Sequence, residues 1–302
     1  MMLLNLSCVL ATLLAANAAL ALASVGYTSA GKPILHAPSG SLIRQSGQNL
    51  NVFAPDGSLL HVLKGGNEPA TTLSRRFADS DFRSVEALAV VDGPATMESL
   101  TTTFTIPPVP KTFNSQLFFF GAGIGIDSND SSITALVQAG LQYGGTPRQG
   151  GSFWSAAIVI QAGDGTLLSY GIPFGTAIVH PGDRLTVSIA RDTDPTRVPP
   201  GDGYWYLVTF DHLDLAIPYT AEMFWEIPPS RAMIRLEELI IDDASEYPVG
   251  AVVFENVKVN TTAGFPAISW HANNNPALNV QVNVEQDGSE NARIAIAFPE
   301  SN

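Results

Sequence analysis

Residues 134–144 read Thr134-Ala-Leu-Val-Gln-Ala-Gly-Leu-Gln-Tyr-Gly144, and this stretch decides the fold class of the 302-residue chain. The side chains of a β-strand alternate between two faces, so Leu136 and Gln138 share one face while Val137 and Ala139 take the other. The stretch therefore predicts a β-strand that presents one uncharged amide, that of Gln138, beside apolar neighbours.

Similar strand-like runs recur along the chain, separated by clusters of Gly and Pro. No stretch shows a convincing period of 3.6 residues, and many short strands with turn residues between them are typical of a sandwich or a barrel. We predict an all-β fold for residues 96–302, an antiparallel two-sheet β-sandwich of the concanavalin A-like or jelly-roll type with one concave face. The other runs span residues 99–106, 117–120, 153–161, 167–174, 183–190, 203–210, 213–219, 231–241, 251–259, 267–271, 278–285 and 292–298.

The first 23 residues predict the compartment. They are nearly all Leu, Ala and Val, too short and too interrupted for a good membrane span, and they end with small residues at Ala19, Ala21 and Ala23. We expect a secretory signal peptide, and hence an extracellular protein whose mature form does not contact a membrane. The only cysteine, Cys8, lies in this segment, so no thiol or disulfide is expected in the mature chain.

Residues 24–95 are predicted to form an N-terminal unit and a linker. Two alternating runs around Pro55-Asp-Gly57 indicate a β-hairpin between residues 49 and 63. From residue 65 to residue 82 the pattern dissolves into turn-forming and polar residues, as in a linker. The pair Arg75-Arg76 in this linker suits a processing protease that cuts after Arg76 and releases a pro-segment from a zymogen. Alternatively, the two arginines only decorate a loop.

Composition limits the partners of the protein. The chain has 15 Lys and Arg against 28 Asp and Glu, a net charge of -13, which argues against binding to nucleic acid and other polyanions. The five histidines are scattered without metal-ligand spacing, so neither a metal nor another cofactor is expected. Asn129 and Asn260 each begin an Asn-X-Ser/Thr acceptor and are predicted glycosylation sites in a secreted protein.

A second strand-like run, Ala232-Met-Ile-Arg-Leu-Glu-Glu-Leu239, supplies a carboxylate. Glu237 shares its face with Arg235, whereas Leu236 and Glu238 point the opposite way. A carboxylate that activates water, next to an amide that donates to an oxyanion, suffices chemically to hydrolyse an acyl bond. Equally, Gln and Glu often occupy the wet face of a half-buried strand.

Several pieces of the chain form a pattern when they are taken in order. They are Ser99–Pro107, Gly125-Ile-Asp127, Leu136-Val-Gln138, Gly150-Gly-Ser-Phe-Trp154, Ala232–Glu237 and Glu246-Tyr-Pro248, with Val253-Phe-Glu-Asn-Val257 and Ile268-Ser-Trp270 beyond them. Together they resemble the glutamic peptidases, or eqolisins, and their secreted fungal and bacterial relatives. The resemblance implies a concanavalin A-like sandwich, a polypeptide substrate and an acid-acting endopeptidase. It also implies that Glu237 is the catalytic general base and Gln138 the residue that stabilises the oxyanion.

Three places depart from the family pattern. Gly123 stands where the family carries a tryptophan, Met233 stands where a second glutamate is usual, and residues 156–161 replace a strand that bears Trp, Tyr and Glu. The aromatic and acidic wall around the substrate is therefore thinner than in the family. Asp127 and Trp154 remain as the expected substrate-binding residues.

A different class of function stays open, a secreted carbohydrate-binding or otherwise non-catalytic sandwich. In the peptidase, Gln138 and Glu237 face each other in an open cleft with room for a water, whereas in the binding module one of them is buried, blocked or turned away. Glu222 and Glu226 offer a further possibility, a carboxylate pair with Glu237 for glycoside hydrolysis. The tryptophans that either stack on sugar or fill the core are Trp154, Trp205, Trp225 and Trp270.

Overall fold

The computed structural model describes residues 22, 24–27, 32–64, 83–127, 133–144, 151–170, 178–194, 203–211 and 221–300. Within these ranges the side chains of residues 25, 26, 83, 127, 133 and 134 are not described. Three predicted features lie outside the described residues: the Arg75-Arg76 pair, Asn129, and the signal peptide with the exception of Leu22.

Strands dominate the described residues, in which the one helical element is a single 3-10 turn, Ala244–Glu246. The strands are β1 (Ser24–Tyr27), β2 (Pro33–Ala37), β3 (Leu42–Ser46), β4 (Asn49–Phe53), β5 (Leu59–Leu63), β6 (Arg83–Val90), β7 (Met97–Thr105), β8 (Leu117–Asp127), β9 (Ile133–Gly144), β10 (Trp154–Ala162), β11 (Leu167–Tyr170), β12 (Ile178–Val179), β13 (Arg184–Arg191), β14 (Tyr204–Asp211), β15 (Ala221–Trp225), β16 (Arg231–Leu239), β17 (Ala251–Thr261), β18 (His271–Asn273), β19 (Gln281–Gln286) and β20 (Ala292–Ala297).

The strands form two sheets. The first sheet has the order β1-β2-β11-β10-β9-β8-β16-β6-β18, with β12 beside β10, and the second has the order β19-β20-β17-β7-β13-β14-β15-β3-β4-β5. The predicted two-sheet sandwich is confirmed. The sheets are mixed rather than wholly antiparallel, because β2 pairs with β11 and β3 pairs with β15 in parallel. Both parallel pairs join strands distant in sequence, which no tight turn forces to be antiparallel.

Aromatic side chains from both sheets fill the space between them. Phe104 of β7 lies 6.0 Å from Phe120 of β8 between ring centroids, and 4.8 Å from Phe254 of β17. Trp154 of β10 packs 5.0 Å from Tyr143 and is only 1% exposed. These residues lie on the inner faces of strands whose side chains alternate, so burial of one face fixes which residues face outwards.

The N-terminal strands join both sheets. The hairpin predicted between residues 49 and 63 is present as β4 and β5, and β3 connects it to β15 of the second sheet. In the first sheet, β2 extends the edge at β11, while β6 lies between β16 and β18. Residues 33–63 thus contribute strands to the sandwich itself, and their removal as a pro-segment stays a prediction.

Candidate active site

The candidate site lies on one face of three neighbouring strands of the first sheet, β9, β8 and β16. Gln138 of β9 pairs with Gly123 of β8, and Gly123 pairs with Met233 of β16. Residues that lie directly opposite in a sheet share a face, and residues two apart on a strand share it too. Gln138, Met233, Arg235 and Glu237 are therefore on the same face, opposite to the face that packs into the core.

Glycines form the part of β8 that separates Gln138 from β16. Gly121 and Gly123 have no side chains, so the amide of Gln138 reaches across β8 and its Nε2 donates to the carbonyl oxygen of Arg235 at 3.0 Å. A β-carbon on Gly123 would lie 2.8 Å from the carbonyl oxygen of Val137 and 3.1 Å from Cγ of Met233. A larger residue at this position would therefore crowd the backbone of β9 and the side chain of Met233.

The carboxylate of Glu237 is held by Arg235. Nη2 of Arg235 lies 3.0 Å from Oε1 of Glu237, and Nε of the same guanidinium lies 3.8 Å from Oε2 of Glu86 on β6. Glu237 is 3% exposed and Arg235 5% exposed. One guanidinium thus lies between two carboxylates, with Glu237 and Arg235 nearly removed from solvent.

Burial perturbs the ionisation of Glu237. Loss of solvent raises the pKa of this carboxyl above its ordinary value, the positive charge of Arg235 lowers it, and the negative charge of Glu86 raises it. Because desolvation is the largest of these effects, the pKa stays raised. A carboxyl with a raised pKa exchanges a proton at higher pH than an ordinary glutamate, as a general base in a weakly acidic medium requires.

Gln138 and Glu237 are brought to the same residue but not into contact with each other. Among the described residues, no hydrogen bond joins their side chains, and both contact Arg235 instead. Gln138 is 5% exposed, so both members of the predicted dyad are buried rather than open to a cleft. The glutamine level with Glu237 across the sheet is Gln142, but Phe119 stands between them on β8.

The structure separates the expected substrate residues. Trp154 packs among the core aromatics on the inner face of β10. It pairs with Tyr143 of β9, which lies five residues from Gln138 and therefore on the opposite face of that strand. Asp127 is the last residue of β8, and its side chain is not described. The acceptor Asn260 lies half-buried in β17 opposite Ser99.

The alternative sites are also placed apart. Glu222 belongs to β15 and Glu226 follows it in the second sheet, where it accepts a hydrogen bond from the backbone of Gly47. Neither shares the sheet of Glu237. Trp225 and Trp270 are buried, like Trp154, so three of the four tryptophans fill the interior and do not form a sugar platform.

Two residues of the site were not singled out from the sequence. The alternation of side chains placed Arg235 on the same face as Glu237, but it did not predict the contact between Arg235 and Gln138. No pattern in the sequence indicated that Glu86 belongs to the site. It lies in the region predicted to be an N-terminal unit and a linker, and it reaches the site through the pairing of β6 with β16.

The described residues contain no helix that is long and apolar enough to cross a membrane. They also contain no group of three or more His, Cys, Asp or Glu side chains arranged to hold a metal ion.

Several solved structures are similar to this chain, and two of them are peptidases solved with a bound peptide or peptide-based ligand. One is scytalido-glutamic peptidase, solved with a peptide-based transition-state analogue; it has a TM-score of 0.44 and 13% sequence identity, and the match covers 72% of this chain and 100% of that one. The other is SCP-B, a member of the Eqolisin family of peptidases, solved with the tripeptide Ala-Ile-His, with a TM-score of 0.43, 13% identity and the same coverage. Both neighbours are peptidases.

The resemblance to glutamic peptidases that the sequence indicates is thus met again among the structural neighbours. No protein-family model and no curated protein matches the sequence. At 13% identity and TM-scores below 0.5, the two structural likenesses carry no information on the reaction of this chain.

Proposed function

We propose that this protein is a peptidase-like hydrolase in which Glu237 is the general base and Gln138 stabilises the oxyanion. The observation that carries the proposal is that a buried carboxylate and an uncharged amide share one sheet face and contact the same residue, Arg235. Same-face neighbours on a strand lie about 7 Å apart. The amide of Gln138 binds the backbone of Arg235, which is two residues before Glu237 on the same strand. The distance from this amide to Glu237 is therefore about 7 Å, enough for a water and a substrate carbonyl between them.

The proposed reaction uses one carboxylate oxygen and one amide hydrogen. Oε1 of Glu237 lies 3.0 Å from Nη2 of Arg235, and the other carboxylate oxygen, Oε2, takes a proton from water as the water oxygen attacks the scissile carbonyl carbon. The amide of Gln138 has two N–H donors; one binds the carbonyl oxygen of Arg235 and the other serves the oxyanion. When the carbon–nitrogen bond breaks, Glu237 returns the proton to the departing nitrogen, and an acid and an amine leave.

The pH dependence of the proposed activity follows from the state of Glu237. A general base works when ionised, and burial raises the pKa of this carboxyl. Activity should rise with pH through that pKa, so the acid limb lies above the range of an ordinary glutamate. The proposed activity is thus weakly acidic rather than strongly acidic.

A non-catalytic sandwich is the second candidate, and a specific observation favours it. Gln138 and Glu237 are both nearly buried, and both are occupied by Arg235. Burial of both groups keeps a polypeptide substrate from reaching them unless the surrounding side chains move. The two candidates predict opposite outcomes for the same measurement.

The test is hydrolysis of a denatured protein or a fluorogenic peptide library across the acidic range, with wild-type protein and Glu237→Gln. The peptidase proposal expects turnover by wild type and near-complete loss in Glu237→Gln, which keeps the size of the side chain but removes the proton acceptor. The matched control is Glu238→Gln, one residue on and on the core face, where Gln can still accept the 2.9 Å hydrogen bond from the Tyr247 hydroxyl. Wild-type protein that folds but cleaves nothing would support the non-catalytic sandwich.

The setting of this activity is part of the proposal. A polypeptide substrate suits the acyl bond that the site would hydrolyse. The composition of the first 23 residues supports the proposal that the protein is secreted and loses this segment. Sequencing the N-terminus of protein recovered from the culture medium tests both.

A further inference from the structure

We propose that Arg235 is a positioning residue for both members of the site, since its guanidinium holds the carboxylate of Glu237 and its backbone carbonyl holds the amide of Gln138. This inference rests on the proposed function, and it adds a residue that the chemistry above does not use. Arg235 touches neither water nor substrate in this scheme. It acts through the two groups that do.

The geometry at the guanidinium carries the first half of the inference. Arg235 lies 3.0 Å from Glu237 and 3.8 Å from Glu86, and it is as buried as the carboxylate that it holds. A carboxylate taken out of water without a partner gives up its charge, whereas a paired one can keep it. Arg235 therefore favours the ionised form of Glu237 against the opposing effect of burial, and its contact with Oε1 leaves Oε2 to take a proton.

The second half of the inference concerns Gln138. An amide side chain can rotate freely when no partner fixes it, but the 3.0 Å bond to the carbonyl of Arg235 sets the direction of Nε2. The acceptor is a backbone atom of β16, so it stays in place as long as the sheet does. Orientation of an oxyanion donor before the reaction is what makes such a donor effective.

Glu86 moderates the same pair from the other side. It faces Arg235 from β6, where the two residues are directly paired, and it competes with Glu237 for the guanidinium. The side chains level with the pair on the neighbouring strands carry no charge: Ser84 on β6, Phe119 on β8, Gln142 on β9 and Asn273 on β18. The same face also carries His271 on β18, two residues from Asn273, and Arg231 on β16, four residues from Arg235. The ionisation of Glu237 thus depends on two charged neighbours of opposite sign.

The experiment measures the ionisation of Glu237 directly, by following its carboxyl carbon in an NMR titration. Arg235→Met removes the positive charge and keeps an apolar stem, so the pKa of Glu237 should rise. Glu86→Gln removes the negative charge at the same size, so the pKa should fall. Arg231→Met is the matched control, four residues earlier on the same face of β16, and it should leave the pKa of Glu237 unchanged.

Activity adds an independent readout. The acid limb of the kcat/KM profile should move to higher pH in Arg235→Met and to lower pH in Glu86→Gln. In Arg235→Met, kcat should fall while KM changes little. Arg235→Lys should restore part of the rate, because it keeps the charge but lacks the planar fork. If Arg235→Met does not fold, Arg235→Lys and Glu86→Gln carry the comparison.

The outcomes separate this inference from the proposed function. Titrations in which Arg235→Met and Glu86→Gln shift Glu237 in opposite directions support the positioning role, even when no variant hydrolyses peptide; in that case the proposed function fails alone. Titrations in which Glu237 is insensitive to both changes, or moves in the same direction in both, overturn the positioning role, even when wild-type protein is an active peptidase.

Discussion

Oε1 of Glu237 lies 3.0 Å from the guanidinium of Arg235, two residues earlier on the same strand. This ion pair changes what the predicted dyad means. The base of the proposed reaction is not an isolated carboxylate in a cleft but half of a buried pair, with Glu86 as a third member. Its ionisation is therefore controlled by the protein rather than by solvent.

Removal of the Gln138 amide should slow the proposed reaction strongly. Loss of one oxyanion donor costs on the order of 100-fold to 1,000-fold in turnover, and we expect that range for Gln138→Ala. Gln142→Ala is the control, because Gln142 lies on the same face but donates to the carbonyl of Gly144 at 3.0 Å. Equal losses in both variants, measured as kcat on one peptide, would contradict the assigned role of Gln138.

The stability of the protein should carry a signature of Glu237. Because its pKa is raised in the folded state, the folded protein binds this proton more tightly than the unfolded chain. The stabilisation of the fold by this bound proton is fully present below the pKa of Glu237 in the unfolded chain. It is lost as the pH rises through the pKa of Glu237 in the folded protein. In Glu237→Gln this loss should vanish, because glutamine does not titrate and resembles the neutral carboxyl that the fold favours.

The measurement is urea unfolding of wild type and Glu237→Gln at several pH values between about pH 4 and pH 8, where glutamates with raised pKa values titrate. The free energy of unfolding of wild type minus that of Glu237→Gln should decrease as the pH rises, because only wild type loses the stability that comes from the bound proton. A difference that stays constant across this range would show that Glu237 titrates alike in the folded and unfolded states.

Glycines 121 and 123 should differ in how much they tolerate a methyl group. A β-carbon at Gly121 would overlap the backbone of Ala139 and Gly140, which cannot move without disturbing β9. At Gly123 a β-carbon would lie 2.8 Å from the carbonyl oxygen of Val137 and 3.1 and 3.2 Å from Cγ of Met233 and Cδ1 of Leu136, so its overlap with the backbone is smaller. We expect Gly123→Ala to cost about 1–3 kcal/mol and Gly121→Ala to cost more, as measured by urea unfolding. The reverse order would reject the described pairing of β8 with β9.

Trp154 should behave as a core residue and not as a substrate contact. Truncation of a buried tryptophan costs about 3–5 kcal/mol, so Trp154→Ala should destabilise the sandwich by that amount. Trp154→Phe keeps most of the packing against Tyr143 and should leave the KM for a peptide unchanged. A rise in KM without loss of stability in Trp154→Phe would return this residue to the substrate site.

Cleavage after Arg76 should not by itself release the N-terminal strands. The pairs β2–β11 and β3–β15 place these strands in both sheets, where backbone hydrogen bonds hold them without the covalent link. We expect two fragments on a denaturing gel that elute as one species in native gel filtration. The variant Arg75→Ala/Arg76→Ala should give a single chain, and a second N-terminus that persists in it would locate the cut elsewhere.

The sequence determined the class of fold and the faces of the strands. Alternation within residues 232–239 put Arg235 and Glu237 together and Glu238 on the opposite, core face, as the structure shows. Short-range alternation is sufficient for this, because the period of a strand is two residues whatever its neighbours are.

Only the tertiary structure decided what surrounds those faces. The order of the strands put β8 and its glycines between Gln138 and Arg235, brought Glu86 to the pair from β6, and turned Trp154 into the core. Strand order and register depend on which faces bury together across long separations in sequence. A local pattern specifies the two faces of each strand, whereas the packing of the whole sandwich selects its neighbours.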